Sequence, residues 1–137
     1  NAESALAKRL LPLAKLVTPN LVEATALAGF SVEEPEDMRD AARVIHERFG
    51  CAVLVKGGHM KTIDAIDLFF DGKEEFLLSA PRAKRLSPPG TGCTYSAAIT
   101  AFLAKGEPLA KAVELAKQHM VRALSGVYRA GKHTFLG

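Results

Sequence analysis

Apolar residues recur at helical spacing along most of the chain. The pattern predicts five helices, at residues 4–16, 21–29, 31–50, 93–105 and 109–130. Asn20 can cap the second helix and Gly29 can end it. Pro35 lies near the start of the third helix, and Gly50 can end it. The apolar stripe of the third helix comprises Met38, Ala41, Ala42, Ile45 and Phe49.

Apolar runs with strand character lie between these helices. Residues 51–55 are apolar throughout, which is typical of a strand that is buried on both faces in a parallel sheet. Residues 63–70 and 74–81 predict two strands joined at Asp71-Gly72, a hairpin signal. Residues 16–20 add a short extended piece. The order predicts an α/β fold with a mixed sheet of three or four strands, which suits one half of a larger sheet.

Composition and charge limit the class of protein. The chain has 137 residues, of which 48% are hydrophobic and 24% charged, as in an ordinary globular domain. With a net charge of +3 and no basic run interleaved with aromatic residues, we expect no nucleic-acid partner. No apolar run approaches the roughly 20 residues that span a bilayer, so we expect no membrane partner. The two cysteines, Cys51 and Cys93, are too few for a disulfide framework, and a reducing, cytoplasmic setting is expected.

The segment Pro-Pro-Gly-Thr-Gly-Cys-Thr, residues 88–94, combines glycines with a predicted helix start. Gly90 and Gly92 allow a tight turn and close approach to a ligand, and the helix offers N–H groups and the positive end of its dipole. These features suit a phosphate, or a phosphoryl group during transfer. The dipole also favours the thiolate of Cys93, which can take a proton from a substrate hydroxyl. The alternative is a glycine-rich loop in which Cys93 packs against alanines one turn further on; spacing alone does not separate the two.

The segment Lys56-Gly57-Gly58 follows the buried strand directly. Ligands of open α/β sheets bind at such strand ends. Lys56 can meet phosphate charge, and the glycines can admit a nucleotide. The alternative is a flexible turn with a solvated lysine.

Asn20 and Glu23 lie three residues apart and share a face in the first turn of a helix. An amide and a carboxylate so placed can hold a hydrated Mg²⁺ through its water ligands. The alternative, which the residues alone favour, is a capping box in which each side chain bonds the backbone of the other residue. Asp64 and Asp67 face opposite sides of a predicted strand, so we do not interpret them as a carboxylate pair. His46 is interpreted as a surface residue.

Taken together, these motifs resemble one family. Residues 10–29, 53–59, 65–72 and 90–117 are similar to the C-terminal half of hydroxymethylpyrimidine/phosphomethylpyrimidine kinase, the thiamine-pathway member of the ribokinase-like superfamily. Gly-Thr-Gly-Cys-Thr followed by an alanine-rich helix is the most specific part. Many sugar and vitamin kinases of the superfamily have Gly-Thr-Gly-Asp there, and cysteine points to the pyrimidine kinases and to closely related pyridoxal kinases.

The resemblance implies a three-layer α/β/α fold with a mostly parallel central sheet, of which residues 1–137 form the C-terminal part and the N-terminal half is missing. It implies an ATP-dependent kinase that phosphorylates 4-amino-5-hydroxymethyl-2-methylpyrimidine and then its monophosphate. Cys93 falls on the catalytic base, and Gly90, Thr91 and Gly92 fall on the loop that stabilises the transferring phosphoryl group. Asn20 and Glu23 fall on the motif that organises Mg²⁺ and the ATP phosphates. Lys56, Gly57 and Gly58 fall near the nucleotide, and a homodimer is expected.

Three departures from the family pattern affect these expectations. Pro89 stands where the family often has His, which bears on selectivity for the pyrimidine. Residues 126–137 lack the expected Gly-His-Gly-Pro-like ending. The missing half supplies most groups that grip the ring. Two alternatives therefore stay open: a pyridoxal kinase of the same superfamily, and a non-catalytic fragment that only retains a nucleotide pocket.

Overall fold

The computed structural model describes residues 2–58, 64–81, 90–126, 128–130 and 133–135. The chain divides into two units, Asn1–Ala80 and Pro81–Gly137. Each unit has its own secondary structure.

The first unit begins with a helical segment that changes its winding before a proline. Helix α1 spans Ala2–Ala5, and is followed by a π turn at Leu6–Leu10 and a 3₁₀ turn at Leu11–Leu13. Pro12 has no N–H group and its ring clashes with the carbonyl of the preceding turn, so a regular α-helix cannot run through it. The helix predicted at residues 4–16 is therefore shorter and irregular at its end.

A four-stranded sheet forms the centre of this unit. Strands β1 (Leu16–Val17), β2 (Ala52–Lys56), β3 (Asp64–Phe70) and β4 (Glu75–Pro81) lie side by side in that order. Strand β2 runs parallel to β1 and antiparallel to β3, so the sheet is mixed as predicted. The connection from β2 to β3 is too short for the crossover that a parallel pair needs, so these two strands are antiparallel. Parallel pairing, which the family resemblance led us to expect, is seen between β1 and β2.

Helices α2 (Leu21–Ala28) and α3 (Pro35–Phe49) cover one face of the sheet. The predicted helix ends hold: Gly29 and Gly50 end the two helices with positive φ angles of 89° and 72°. Helix α3 begins at Pro35, later than the predicted start at residue 31. Four residues of the predicted stripe are buried against β2 and β3, and Phe49 packs at the edge of the same cluster. Leu54 and Phe69 project to the opposite face and are also fully buried, which confirms that β2 is covered on both faces.

The connection between β3 and β4 lies where the hairpin was predicted, but it is longer than a two-residue turn. The carboxylate of Asp71 accepts hydrogen bonds from the N–H groups of Glu74 (2.7 Å) and Lys73 (2.8 Å), and these bonds hold the pKa of Asp71 below its usual range. Gly72 has a φ of 91°, and a Cβ atom there would lie 2.5 Å from Nε2 of His46. Only glycine allows both the positive φ angle and the close approach of the His46 ring.

His46 is half-buried and contacts residues outside its helix, whereas the sequence suggested a surface residue. Its Nδ1 lies 2.9 Å from the carbonyl oxygen of Cys51, and its ring meets Phe70 edge to face at 5.2 Å. The sequence did not indicate these contacts because the partners lie outside the helix, and helical periodicity carries no information about them. Cys51 itself is buried, and burial raises the pKa of its thiol.

A cluster of charged side chains joins α3 to β4. Both oxygens of the Glu75 carboxylate accept hydrogen bonds, from Nε of Arg39 (2.6 Å) and Nη2 of Arg43 (3.1 Å). Arg39 also pairs with Glu36 at 2.6 Å. Partial burial acts to raise the pKa of Glu75, but the hydrogen bonds from Arg39 and Arg43 outweigh it, so this pKa is lowered.

The second unit contains helices α4 (Thr91–Ala104) and α5 (Leu109–Ser125), which pack on each other, and a hairpin of strands β5 (Tyr128–Ala130) and β6 (His133–Phe135). Helix α4 begins two residues earlier than predicted. The predicted extension of the last helix to Ala130 is wrong, because the helix ends before Gly126 and the chain then enters β5. Pro89 lies outside the described residues.

Within the described residues, no helix combines the length and the apolar character that a membrane crossing requires.

Candidate active site

The ends of two parallel strands bring Asn20 and Lys56 together. The backbones of Asn20 and Lys56 pair as an isolated parallel bridge, beyond the ladder between β1 and β2. The N–H of Lys56 donates to the carbonyl oxygen of Pro19 at 2.8 Å. Both residues thus lie at the carboxyl edge of the parallel pair, where α/β sheets bind their ligands.

Asn20 and Glu23 form the capping box that the residues alone favoured. Oδ1 of Asn20 accepts the Glu23 N–H at 2.9 Å, and Oε2 of Glu23 accepts the Asn20 N–H at 2.8 Å. These two bonds satisfy donors that the first turn of α2 leaves without helical partners. They also fix the Glu23 side chain beside the strand end.

The geometry of Asn20 and Glu23 is also compatible with a role in organising Mg²⁺. The Glu23 side chain is exposed and only its Oε2 is used by the cap, so the carboxylate is open to water. Mg²⁺ keeps several waters and needs few direct protein ligands, so Glu23 and Asn20 fit a hydrated ion held through its waters. In the described part of the chain no three His, Cys, Asp or Glu side chains gather into a direct metal site.

Gly57 is held tightly at the end of β2. Its N–H donates to the carbonyl oxygen of Ile66 at 2.9 Å and to Oδ1 of Asp67 at 3.1 Å. A Cβ atom at position 57 would lie far inside contact distance of the Ile66 carbonyl oxygen and 3.2 Å from Cε of Met38. Gly58, by contrast, is exposed, and a Cβ atom there would have no heavy atom within 4 Å. Gly57 is therefore a position at which the surrounding backbone requires glycine.

The second unit carries the glycine motif at a helix start. Gly90 precedes α4 with a φ of 91° and has open space where a side chain would be. The first intrahelical bond joins the Thr94 N–H to the Gly90 carbonyl at 2.9 Å. The N–H groups of Gly92 and Cys93 lie in the first turn, before the helical ladder can supply partners, and the Gly90 cap position offers no side chain to bond them. The backbone therefore has the form of an anion site.

Cys93 does not fill space in the core. It is a free thiol and its side chain is exposed in the first turn of α4. The alternative in which Cys93 packs against neighbouring alanines is thus not seen. An exposed thiol at the positive end of a helix dipole can reach a substrate and can act as a proton acceptor in the thiolate form.

The structure places the predicted site residues in two groups, one in each unit. Asn20, Glu23, Lys56 and Gly57 lie at one edge of the sheet in the first unit, and Gly58 follows them. Gly90, Thr91, Gly92 and Cys93 are consecutive in the second unit.

Asp67 was not predicted as a site residue. Its side chain is only 4% exposed, although it carries a carboxylate, and it bonds the Gly57 N–H. The signal in the sequence is an acidic residue within the apolar run 66–69, on the strand face that also carries the buried Phe69. The three-residue spacing between Asp64 and Asp67 does not indicate that position 67 is buried, whereas the apolar neighbours of position 67 do.

Known proteins of one family are similar to nearly the whole of this chain. The family model described as phosphomethylpyrimidine kinase matches residues 1–136. The hydroxymethylpyrimidine/phosphomethylpyrimidine kinase of Rhizobium meliloti is 48% identical over 130 residues, which are 94% of this chain and 49% of that protein. The enzyme of the same name from Haemophilus influenzae is 40% identical over 136 residues, which are 96% of this chain and 50% of that protein. The chain therefore spans about half the length of these two relatives.

Solved structures give the same fold. A pyridoxal kinase from Staphylococcus aureus in complex with ADP superposes with a TM-score of 0.93 at 33% identity, over 98% of this chain and 50% of that one. A phosphomethylpyrimidine kinase from Clostridium difficile 630 gives a TM-score of 0.76 at 32% identity, over 90% of this chain and 48% of that one. The fold is thus ribokinase-like α/β, as expected. Because the family model spans nearly the whole sequence, the chain belongs to the phosphomethylpyrimidine kinase family.

Proposed function

We propose that the protein containing this chain is an ATP-dependent kinase of thiamine biosynthesis. It phosphorylates the hydroxymethyl group of 4-amino-5-hydroxymethyl-2-methylpyrimidine and then adds a second phosphate to the monophosphate. The observation that carries this proposal is the exposed Cys93 after Gly-Thr-Gly at the start of α4, in a chain of this family. The chain corresponds to the C-terminal part of a single ribokinase-like domain, in keeping with its coverage of about half of each relative.

The first transfer needs a proton acceptor and charge stabilisation. The Cys93 thiolate takes the proton of the substrate hydroxymethyl group. The resulting oxygen forms a bond to the γ-phosphorus of ATP, the bond from that phosphorus to the β–γ bridging oxygen breaks, and ADP leaves. The backbone N–H groups that follow Gly90, in the turn of Thr91, Gly92 and Cys93, stabilise the charge on the phosphoryl oxygens.

The sheet edge in the first unit binds the nucleotide. Lys56 supplies positive charge for the phosphates, while Gly57 and Gly58 allow the backbone to come close. Asn20 and Glu23 would hold Mg²⁺ through its waters, and the bound ion would neutralise phosphate charge. The S. aureus pyridoxal kinase structures in complex with ADP and with AMP-PCP support a nucleotide substrate.

Pyridoxal kinase activity is the second candidate, because pyridoxal kinases are among the structures with high similarity to this chain. The curated pyrimidine kinases share higher identity, 40% and 48%, than the 33% of the S. aureus pyridoxal kinase. The test is comparative turnover of the pyrimidine and of pyridoxal by the full-length protein with Mg-ATP. A higher kcat/KM for the pyrimidine is expected, and a clear preference for pyridoxal would sink the first assignment.

Two further properties accompany the proposal. A homodimer and a cytoplasmic location are predicted, and the small molecules named above are its partners. The relative from Arabidopsis thaliana is named as chloroplastic. If the full-length protein neither bound Mg-ATP nor turned over either substrate, the chain would be a non-catalytic nucleotide-fold fragment instead.

A further inference from the structure

A buried carboxylate lies behind the Lys56-Gly57-Gly58 segment, and none of the roles above uses it. Asp67 sits in β3 directly opposite Lys56 of β2. Its side chain is 4% exposed, among neighbours in β3 that are apolar. A buried carboxylate is costly unless hydrogen bonds compensate for the lost water, so its position calls for a specific partner.

One partner of Asp67 is the backbone of the segment itself. Oδ1 of Asp67 accepts the Gly57 N–H at 3.1 Å, and the same N–H reaches the Ile66 carbonyl oxygen at 2.9 Å. The bond lies one residue past the last pair of the β2–β3 ladder, where the chain leaves the sheet. A charge-assisted bond at this point fixes the direction in which the chain leaves β2.

The backbone on the other side of β2 is fixed as well. The Lys56 N–H donates to the Pro19 carbonyl oxygen at 2.8 Å, which ties the strand end to the residue before Asn20. Gly57 has no room for a side chain, because Ile66 and Met38 occupy that space. Hydrogen bonds therefore hold Lys56 and Gly57 from both sides of β2. On the β3 side, one of these bonds comes from the side chain of Asp67.

We propose that Asp67 is a positioning residue for nucleotide binding, acting through the Gly57 N–H to hold Lys56, Gly57 and Gly58 in place. The inference rests on the proposed nucleotide role of that segment. In this role Asp67 acts through its bond to the Gly57 backbone and would not contact the nucleotide directly. Without the Asp67 acceptor, Lys56, Gly57 and Gly58 can still adopt the binding conformation but also populate others. Nucleotide affinity therefore falls, while the rate of the chemical step in the bound complex changes little.

The experiment measures ADP affinity by calorimetry in the full-length protein. Asp67→Ala is expected to weaken ADP binding about tenfold, whereas Asp67→Asn, which keeps an acceptor oxygen, stays within about threefold of the parent. Asp64→Ala is the matched control, since it removes a carboxylate three residues away on the same strand, where it bonds Ser79. It should leave ADP affinity unchanged. Asp67→Val, which keeps a branched shape suited to a strand, replaces Asp67→Ala if the latter does not fold.

Steady-state kinetics separate positioning from a merely structural role. A positioning role raises the KM for ATP with kcat nearly constant, whereas partial unfolding lowers the apparent kcat and leaves KM unchanged. Unchanged ADP affinity in folded Asp67→Ala or Asp67→Val overturns the inference and leaves the proposed function intact. Equal weakening in Asp67→Asn and Asp67→Ala also overturns it, because the acceptor would then not matter. No ADP binding by the parent protein overturns both.

Discussion

Cys93 is an exposed thiol in the first turn of α4, and the two proposed reactions place different demands on it as the proposed base. The hydroxymethyl oxygen of the first substrate carries a proton that must be removed. The phosphate of the second substrate ionises with a second pKa of about 6, so its attacking oxygen is already deprotonated near neutral pH. A base at Cys93 is therefore needed for the first phosphorylation and not for the second.

This difference predicts a selective effect of Cys93→Ala. In the full-length protein we expect the first phosphorylation to slow by roughly 10²- to 10⁴-fold and the second by less than about tenfold. Cys93→Asp, which supplies another proton acceptor, should recover part of the first rate. Each rate is measured separately, with the hydroxymethylpyrimidine or its monophosphate as the sole acceptor. Equal losses in both steps would mean that Cys93 acts on binding or on the shape of the turn, and not as a base.

In the first turn of α2, Asn20 and Glu23 combine a structural role with a proposed role in binding. The capping box between Asn20 and Glu23 stabilises the helix start, and the same exposed carboxylate is proposed to organise Mg²⁺. Capping requires only acceptor atoms, while an ion held through its waters responds to charge. The two functions can therefore be separated by substitutions that remove one property at a time.

The separation uses Glu23→Gln and Asn20→Ala in the full-length protein. Glu23→Gln keeps an oxygen that can accept the Asn20 N–H, so the melting temperature should hardly change, while the Mg²⁺ concentration for half-maximal activity rises about tenfold. Asn20→Ala loses the acceptor for the Glu23 N–H and should cost about 1 kcal/mol of stability. Thermal unfolding and Mg²⁺ titrations of activity give the two readouts. An unchanged Mg²⁺ requirement in Glu23→Gln would leave Glu23 as a cap alone.

At the scale of the whole chain, local signals predicted the elements well and tertiary contacts poorly. Helix ends at Gly29 and Gly50 follow from backbone geometry that a single glycine decides, and they were found at the predicted residues. The partners of His46 and Asp67 lie outside their own elements, so helix or strand periodicity does not contain them. The end of α5 was missed because the apolar pattern continues past Gly126, whereas the helical backbone does not. The site motifs were recognisable because each occupies a few neighbouring residues.

Acid stability of the whole protein depends on carboxylates whose pKa values folding lowers. Asp71 accepts backbone hydrogen bonds in the β3–β4 turn, and Glu75 is held by two arginines, so the pKa of each is lowered. A lowered pKa means that the unfolded chain binds more protons, so this stabilisation is complete above about pH 5 and is lost as the pH falls through about 4 and below. The melting temperature should therefore be nearly constant from about pH 7 to about pH 5 and should fall at lower pH. Differential scanning calorimetry across this range measures it.

A double variant tests whether these two groups cause the fall. Asp71→Asn with Glu75→Gln should lower the melting temperature at neutral pH by about 2–4 °C, because the charge-assisted bonds weaken. It should also reduce the further loss between about pH 5 and about pH 3, since two of the groups with a lowered pKa are gone, while Asp37 keeps its own contribution. Asp40→Asn with Glu47→Gln removes the same charge from the exposed side of α3 and should keep the full acid slope. If both double variants lost stability in acid as steeply as the parent, the acid sensitivity would arise from other carboxylates, and the hydrogen bonds to Asp71 and Glu75 would not control it.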